Sequence, residues 1–497
     1  MEKTISEYKN KIEEFANKIE EFATKPAFVF IVCAAAFFFH AFALDLVGLI
    51  LFALTGGAFL IAFKDVRPSL TVIFFAIFVV STQNSTWPKG VSDFYFRTST
   101  IITLVICGAI LIACMVFRCV KHKENYRGAK SILPLAALSL SMILSGAIPA
   151  GSNRYGESLL FGLIGVASYL GLYLLLTGIV DGFDGLFDYA MTLFSGVALI
   201  ISLEVVYVYV LNLLPPFEFL PENWRRCMRS GDFFDSIGRW KTYIVTGCGM
   251  SNQSGAMIAF LLPAIFYKIL KSKNYFGYEL LALFAAVSIM LTLSRTAIVV
   301  GGTLFIVLSI VTAIKLQKKT LFLSVLGAFV GAGAILFVIL LLNGKSLLDY
   351  LLPSKGPGLN GRWTIWKDAV NYFTERPIFG VGFAYPYHND STASNIFGAL
   401  FHNFIFQALG SGGIFGITAA LYAVVDPGFK RCRRTLKEKY DGKFYILCFI
   451  GAFATICMFD ILYFVPYYIS FLIFVIVLAE KGINQAKKTS GQEDAKK

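Results

Sequence analysis

"AFVFIVCAAAFFFHAFALDLVGLILFALTGGAFLIAF", residues 27–63, is an apolar run with a single carboxylate, Asp45, near its middle. It is long enough to cross a hydrocarbon core twice, since about 20 apolar residues in helix span roughly 30 Å. Division at Asp45 gives two spans, 27–43 and 46–63. In lipid every backbone N–H and C=O must be bonded within the protein, so only helices or closed barrels cross. Alternating strand patterns are absent, and the run reads as a pair of helices. Further apolar runs lie near 69–82, 99–117, 132–149, 159–180, 189–212, 254–270, 278–294, 297–314, 320–342, 400–425, 444–460 and 462–479, the last pair divided at Asp460. The expected fold is all-α: a polytopic transmembrane helical bundle of about 12–14 spans.

Composition agrees. Of 497 residues, 57% are hydrophobic and 15% charged, with a mean hydropathy of +0.69; soluble domains carry about 25% charged residues. A net charge of +13 would suggest nucleic acid in a soluble protein. Here it reads as Lys and Arg gathered in cytoplasmic loops, and no nucleic-acid partner is expected. The nine cysteines lie mostly within apolar spans, show no paired metal spacing and read as small core residues. No cleavable signal peptide is visible. Residues 1–26 are polar and heptad-like, with Ile5, Ile12, Phe15, Ile19 and Phe22 on one stripe, and are expected to form a cytoplasmic or interfacial amphipathic helix.

Orientation follows from the basic loops. With the N-terminus inside, every second loop should carry Lys and Arg. Lys64 with Arg67, "RCVKHKENYRGAK" from Arg118, Lys268 with Lys271 and Lys273, "KLQKK" from Lys315, "KRCRRTLKEK" from Lys430 and the tail 481–497 all fall inside. The exception is "DGFDGLFD" at 181–188, and acidic residues weigh little in this rule. The expected layout is an N-terminal segment 1–26, eleven spans in 27–342 with an outer loop at about 213–253, a large extracytoplasmic loop at 343–399 carrying an amphipathic helix, C-terminal spans in 400–480, and a cytoplasmic tail. Loops longer than about 12–15 residues are usually functional.

The chemistry-bearing residues gather on that outer side. In "GRWTIWKDAVNYF", Trp363, Trp366, Val370 and Phe373 recur at helical spacing, so this stretch is expected as an amphipathic helix opened by Asn360 and Gly361 and closed by Pro377. Arg362 then stands in the first turn, where unpaired amides and a guanidinium together suit an anion; the alternative is an interfacial Arg touching lipid phosphate. Gly380 and Gly382 in "RPIFGVGF" allow a tight turn near a ligand, or simply a turn. Arg295 stands with Ser294 and Thr296 between two apolar runs with no polar linker, a costly place for a charge. His402 and Asn403 open the next span, where a neutral imidazole can serve as a general base near pH 7. His388-Asn389 repeats that pair, so either His388 or His402 is the candidate. His40 lies inside an apolar span and reads as core. Arg225, Arg226, Arg229, Arg239 and Lys241 put cations on the outside against the usual bias, beside Trp224, Trp240, Asp232 and Asp235, which suit a sugar. They point to an acidic or pyrophosphate-bearing substrate, or to a loop neutralised by its own carboxylates and anionic lipid. Neither a metal-ligand spacing nor a nucleotide loop is found, and no cofactor or metal is expected.

In order and spacing, Ser294-Arg295, Gly361-Arg362 with Trp366, Pro377 with Gly380 and Gly382, and His402-Asn403 with Gly413 and Gly416 resemble the O-antigen ligase and O-antigen polymerase superfamily over roughly residues 290–420. The resemblance implies the type C membrane fold and a metal-independent, inverting glycosyltransferase in the cytoplasmic membrane of a bacterium. Its donor would be a glycan on a polyprenyl (undecaprenyl) pyrophosphate. Arg295 and Arg362 would hold the leaving pyrophosphate and His402 would orient or deprotonate the acceptor hydroxyl, with Ser294, Trp366, Gly380, Gly382, Asn403, His388 and the Arg225, Arg226 and Arg229 cluster binding substrate. Implied partners are the lipid-linked donor, a glycan or lipid acceptor, membrane lipid, and flippase and chain-length regulator proteins. The fourteen runs and the cationic loop favour a polymerase of repeat units over a ligase to lipid, protein or wall polymer. A flippase or other transporter is the rival from another class, and it calls for mid-membrane charges and two similar halves.

Overall fold

A helix bonds its own backbone, and that requirement governs this chain. The computed structural model describes residues 14–42, 44–79, 98–126, 129–145, 155–180, 182–183, 185–213, 244–317, 319–342, 359–383, 401–424, 426, 442–459 and 466–494. Among these, eight helices are long and apolar enough to cross a membrane: Asp45–Ala62, Thr98–Lys121, Gly162–Ile179, Leu186–Val210, Ser251–Lys271, Arg295–Lys315, Phe404–Val424 and Tyr467–Ala486. Glu14–Ala23 and Pro26–Ala41 meet at an 82° bend and make a ninth if taken as one span. The remaining predicted runs fall on shorter apolar helices, Arg67–Val79, Ile132–Leu144, Tyr275–Leu291, Lys319–Ile335 and Lys443–Cys457. The all-α polytopic reading therefore stands, with one small addition: a two-stranded antiparallel hairpin pairing Val245 with Met250 and Thr246 with Gly249.

Boundaries moved where local chemistry overrides hydropathy. The last helix begins at Pro466, whose fixed φ and missing N–H suit a helix start, and runs on to Asp494, so the tail from 481 is largely helical. Of the predicted apolar stripe in the N-terminal segment, Ile5 and Ile12 lie outside the described residues and Ile19 is half-buried. Phe15 and Phe22 are exposed, while Ala23 is buried, its carbonyl accepting from the Tyr189 hydroxyl at 3.2 Å. Glu20 Oε1 also accepts from the Asp65 N–H at 2.7 Å. Periodicity identifies an apolar face but does not say what covers it.

The chain divides into two units, Met1–Tyr126 with Gly178–Ile306 and Arg127–Thr177 with Val307–Lys497. In the first, two charges counted as loop signals turn out to be bonded internally. Arg118, 3% exposed, donates to the carbonyls of Leu60 (3.2 Å), Phe63 (2.8 Å) and Lys64, closing the end of the Asp45–Ala62 helix, whose last carbonyls have no helical partner. Lys268 reaches both oxygens of Asp188 at 2.9 and 2.8 Å, so part of the acidic 181–188 segment is neutralised. We expect Arg118→Met, which keeps the stem and removes every donor, to destabilise the protein by about 1–3 kcal/mol per strongly desolvated carbonyl. Thermal unfolding of the full chain in detergent measures this, and an unchanged midpoint contradicts it. The second unit has its own buried tie: Glu480 accepts from the Ser131 hydroxyl at 2.7 Å and the Tyr173 hydroxyl at 2.7 Å.

Candidate functional site

In the first unit the candidate residue is Arg295. The Tyr275–Leu291 helix ends in a turn in which the Thr292 hydroxyl donates to the Ile289 carbonyl at 2.7 Å and Leu293 takes φ +55°. Ser294 then caps the next helix: its carbonyl accepts from Ile298 N–H at 2.9 Å and its hydroxyl oxygen lies 3.4 Å from the Ala297 amide. Arg295 is the first residue of the Arg295–Lys315 helix, exposed, and makes no ion pair among the described residues. Tyr209 braces this turn by donating its hydroxyl to the Leu291 carbonyl, within an apolar cluster of Val205, Tyr209 and Ile244 against Leu291 and Leu293.

One turn and a half before Tyr209, the same Leu186–Leu213 helix carries Glu204. Its Oε2 accepts the Gly247 N–H at the hairpin tip at 2.6 Å, and its Oε1 lies 3.5 Å from His40 Nδ1. Both side chains are 0% exposed. A hairpin inserted among helices has amides no helix can satisfy, and a carboxylate supplies the missing acceptor. His40 is thus core, as expected, yet it belongs to a polar cluster. Glu204 and Tyr209 were missed in the sequence. An acidic residue inside an apolar span was the available signal for Glu204; Tyr209 offers none.

In the second unit Arg362, Trp366 and His402 belong to one assembly. Arg362 stands in the first turn of the Leu359–Glu375 helix, and Trp366 follows one turn later on the same side. The indole Nε1 donates to the Phe401 carbonyl at 3.0 Å, and its ring stacks on Phe406 with centroids 5.0 Å apart. Phe401 is the residue before His402. The buried face of this helix is Ile365, Trp366, Ala369 and Tyr372 against Phe401 and Phe406, while Trp363 (58%) and Val370 (41%) are exposed. Of the expected stripe, Trp366 joins the packed face, while Trp363 and Val370 stand exposed beside it. Gly410 permits the approach, since a β-carbon there would stand 3.2 Å from the Ala369 backbone.

The Phe404–Val424 helix is broken at Gly413, which has φ 62° and ψ −156°. The Pro377–Gly382 turn fits into the break. Ile414 N–H donates to the Pro377 carbonyl at 2.7 Å and Phe415 N–H to that of Ile378 at 3.2 Å. In return Val381 N–H reaches the Gly410 carbonyl at 3.2 Å and Gly382 N–H that of Ser411 at 2.9 Å. Gly380 (φ 66°) and Gly382 (φ 93°) were expected to allow a tight turn near a ligand, or simply a turn. The turn packs closely on the protein's own broken helix, and a β-carbon at Gly380 would collide with the Ser411 carbonyl group.

His402 has φ 49° and is half-buried. Asn403 caps the helix that follows, its Oδ1 accepting from Ile405 N–H (2.8 Å) and Phe406 N–H (3.2 Å) and its amide donating to the Met458 carbonyl at 2.8 Å. The bonding groups of Trp366, Asn403 and Ser294, all expected at the substrate, are thus engaged within the fold. Arg225, Arg226, Arg229, Arg239, Lys241 and their Trp and Asp neighbours, together with His388, lie outside the described residues, as does most of the 343–399 loop beyond 359–383.

The fold is that of a polytopic helical membrane protein; the first unit carries a capped cationic turn, and the second an arginine-bearing helix tied to irregular backbone. Residues 242–421 match the family model described as O-Antigen ligase, about a third of the chain, and Arg295, Arg362 and His402 all fall inside the match. The match supports a place in the O-antigen ligase and polymerase superfamily. No curated protein matches the chain.

Proposed function

We propose that this chain is a membrane glycosyltransferase that polymerises oligosaccharide repeat units carried on undecaprenyl pyrophosphate, on the outer face of a bacterial cytoplasmic membrane. The observation carrying the reading is that one family match encloses both candidate arginines and the candidate histidine. At family level the match supports transfer of a lipid-linked glycan to an acceptor within a membrane.

In the proposed step an acceptor hydroxyl oxygen attacks the anomeric carbon of the donor glycan from the face opposite the pyrophosphate. The new C–O bond forms as the bond to the pyrophosphate oxygen breaks, and the configuration inverts. The electron pair leaves with the pyrophosphate, whose growing charge Arg295 and Arg362 stabilise. Preorganised donors of this kind are usually the largest single contribution to such rates. His402 accepts the hydroxyl proton. The energy comes from the donor's own pyrophosphate linkage, so neither nucleotide nor metal is called upon.

The second reading, a ligase, is favoured by the family's own description. Purified protein given lipid-linked oligosaccharide separates the two. A ladder of products with released carrier pyrophosphate, unchanged by EDTA, is expected. Transfer of a single glycan to an added acceptor with no ladder establishes the ligase, and carrier translocation without a new glycosidic bond establishes a transporter.

A further inference from the structure

Phe401, the residue before His402, is held by its backbone on both sides of its Cα. The Phe401 N–H donates to Gln407 Oε1 at 3.1 Å, and the Phe401 carbonyl accepts from Trp366 Nε1 at 3.0 Å. The residue after His402 is held as well, through the Asn403 cap. Between these fixed points His402 keeps a left-handed backbone, φ 49°, which residues bearing a β-carbon rarely adopt. Such a conformation persists only where its surroundings over-determine it.

Gln407 sits at the junction of this arrangement. It is 3% exposed, one helical turn after Asn403, and every bond it makes is internal. Its amide nitrogen donates to Ser411 Oγ at 2.9 Å, and the Ser411 carbonyl accepts the Gly382 N–H at 2.9 Å. A continuous series of bonds therefore runs from the Pro377–Gly382 turn through Ser411 and Gln407 to the Phe401 peptide. A second route arrives from the helix of Arg362 through Trp366. The first ends on the Phe401 N–H and the second on the Phe401 carbonyl, which is bonded to the His402 nitrogen.

We propose that Gln407 is a positioning residue that, together with Trp366, orients the His402 imidazole by clamping the backbone of Phe401 on both sides of its Cα. This rests on the reading of His402 as the proton acceptor. Gln407 itself touches no substrate; it acts through backbone. A misplacement of about 1 Å in a reacting group can cost on the order of 100-fold in rate. Binding of the donor by other groups is left intact, so the loss should fall on turnover and not on donor affinity.

The experiment uses the purified full chain in nanodiscs and two readouts. The first is the rate at which diethyl pyrocarbonate modifies His402, followed by mass spectrometry, which needs no catalysis. The second is kcat and KM with lipid-linked oligosaccharide. Gln407→Leu removes both bonds of the amide, Gln407→Glu keeps an acceptor for the Phe401 N–H, and Trp366→Phe keeps the ring and removes the donor. Gln407→Leu is expected to change His402 modification at least about threefold and to lower kcat about 10- to 100-fold, with KM within about twofold. Gln407→Glu should recover most of that loss. Trp366→Phe should lose about tenfold, and the double variant less than the product of the two, since both hold the backbone of one residue.

Unchanged His402 modification in Gln407→Leu overturns the clamp. Changed modification with unchanged kcat overturns the catalytic consequence. His402→Ala then tells the two failures apart: if activity persists there, the reading of His402 fails; if it is lost there, only the part given to Gln407 fails. Should Gln407→Leu not fold, the same readouts on Gln407→Glu and Trp366→Phe decide the matter.

Discussion

Arg362→Ala is expected to lower single-turnover glycan transfer about 1000-fold, and Arg362→Lys about 100-fold, with the folded protein unchanged. The argument starts from position. Arg362 lies in the first turn of the Leu359–Glu375 helix, where the backbone amides point outward without helical partners and the helix field favours an anion. It is half-buried and makes no ion pair among the described residues, so its charge is available to a substrate. The indole of Trp366 ties this helix to the Phe401 carbonyl, next to His402. A leaving pyrophosphate gains charge as its bond breaks, and a planar fork of donors meets two of its oxygens at once, whereas an ammonium meets it as a point. Lysine should therefore recover part of the rate but not all. Lys367→Ala is the control: Lys367 is exposed, lies 5.9 Å from the Trp363 ring, and should change the rate less than twofold. Arg362→Ala within threefold of the parent rate would remove Arg362 from the chemistry.

Gly413→Ala is expected to be among the costliest single added methyl groups in the second unit. Gly413 holds φ 62° and ψ −156°, a region essentially restricted to glycine, and a β-carbon there would stand 2.6 Å from the Ile378 carbonyl oxygen and 2.7 Å from the Gly380 nitrogen. Both neighbours are backbone and cannot rotate away. Relief of the clash means withdrawing the Pro377–Gly382 turn, which opens the four backbone bonds that satisfy the broken helix. Unpaired amides and carbonyls among apolar helices cost several kcal/mol each. The expected outcome is loss of most folded protein, read as detergent-extracted yield and thermal midpoint. Gly327→Ala makes the contrast: its β-carbon meets nothing within 4 Å, and alanine favours helix by about 1 kcal/mol over glycine, so the midpoint should hold or rise. A Gly413→Ala protein with normal yield and midpoint contradicts the account of the break.

The sequence was legible where one signal dominated. Apolar runs located the helices because the bilayer allows the backbone few alternatives, and each predicted run falls on an apolar helix. The matched family segment is consistent with the motif order read from Ser294 to Gly416. Where two meanings share one pattern, the sequence leaves both open. The Trp363 and Val370 stripe and the packed Ile365 and Ala369 face lie side by side on one helix, and periodicity does not distinguish protein from lipid as the covering phase. Gly380 read as a turn glycine and Gly413 as a motif glycine within an apolar span, yet they form one interlocked backbone joint, because main-chain pairing between distant segments leaves no mark in composition. Glu204 passed unremarked inside a long apolar span, although its partner is the Gly247 amide of a hairpin 43 residues away. Gln407 was hidden for the same reason: its bonds go to backbone and to Ser411.

The most direct test of the central claim is a single-turnover measurement of carrier pyrophosphate release from lipid-linked oligosaccharide, made on the parent protein and on Arg295→Ala, Arg362→Ala and His402→Ala, each verified as folded. The account predicts release coupled to a new glycosidic bond in the parent, and losses of about 100-fold or more in all three variants. Release at the parent rate in all three variants, or a parent protein that forms no glycosidic bond, contradicts it.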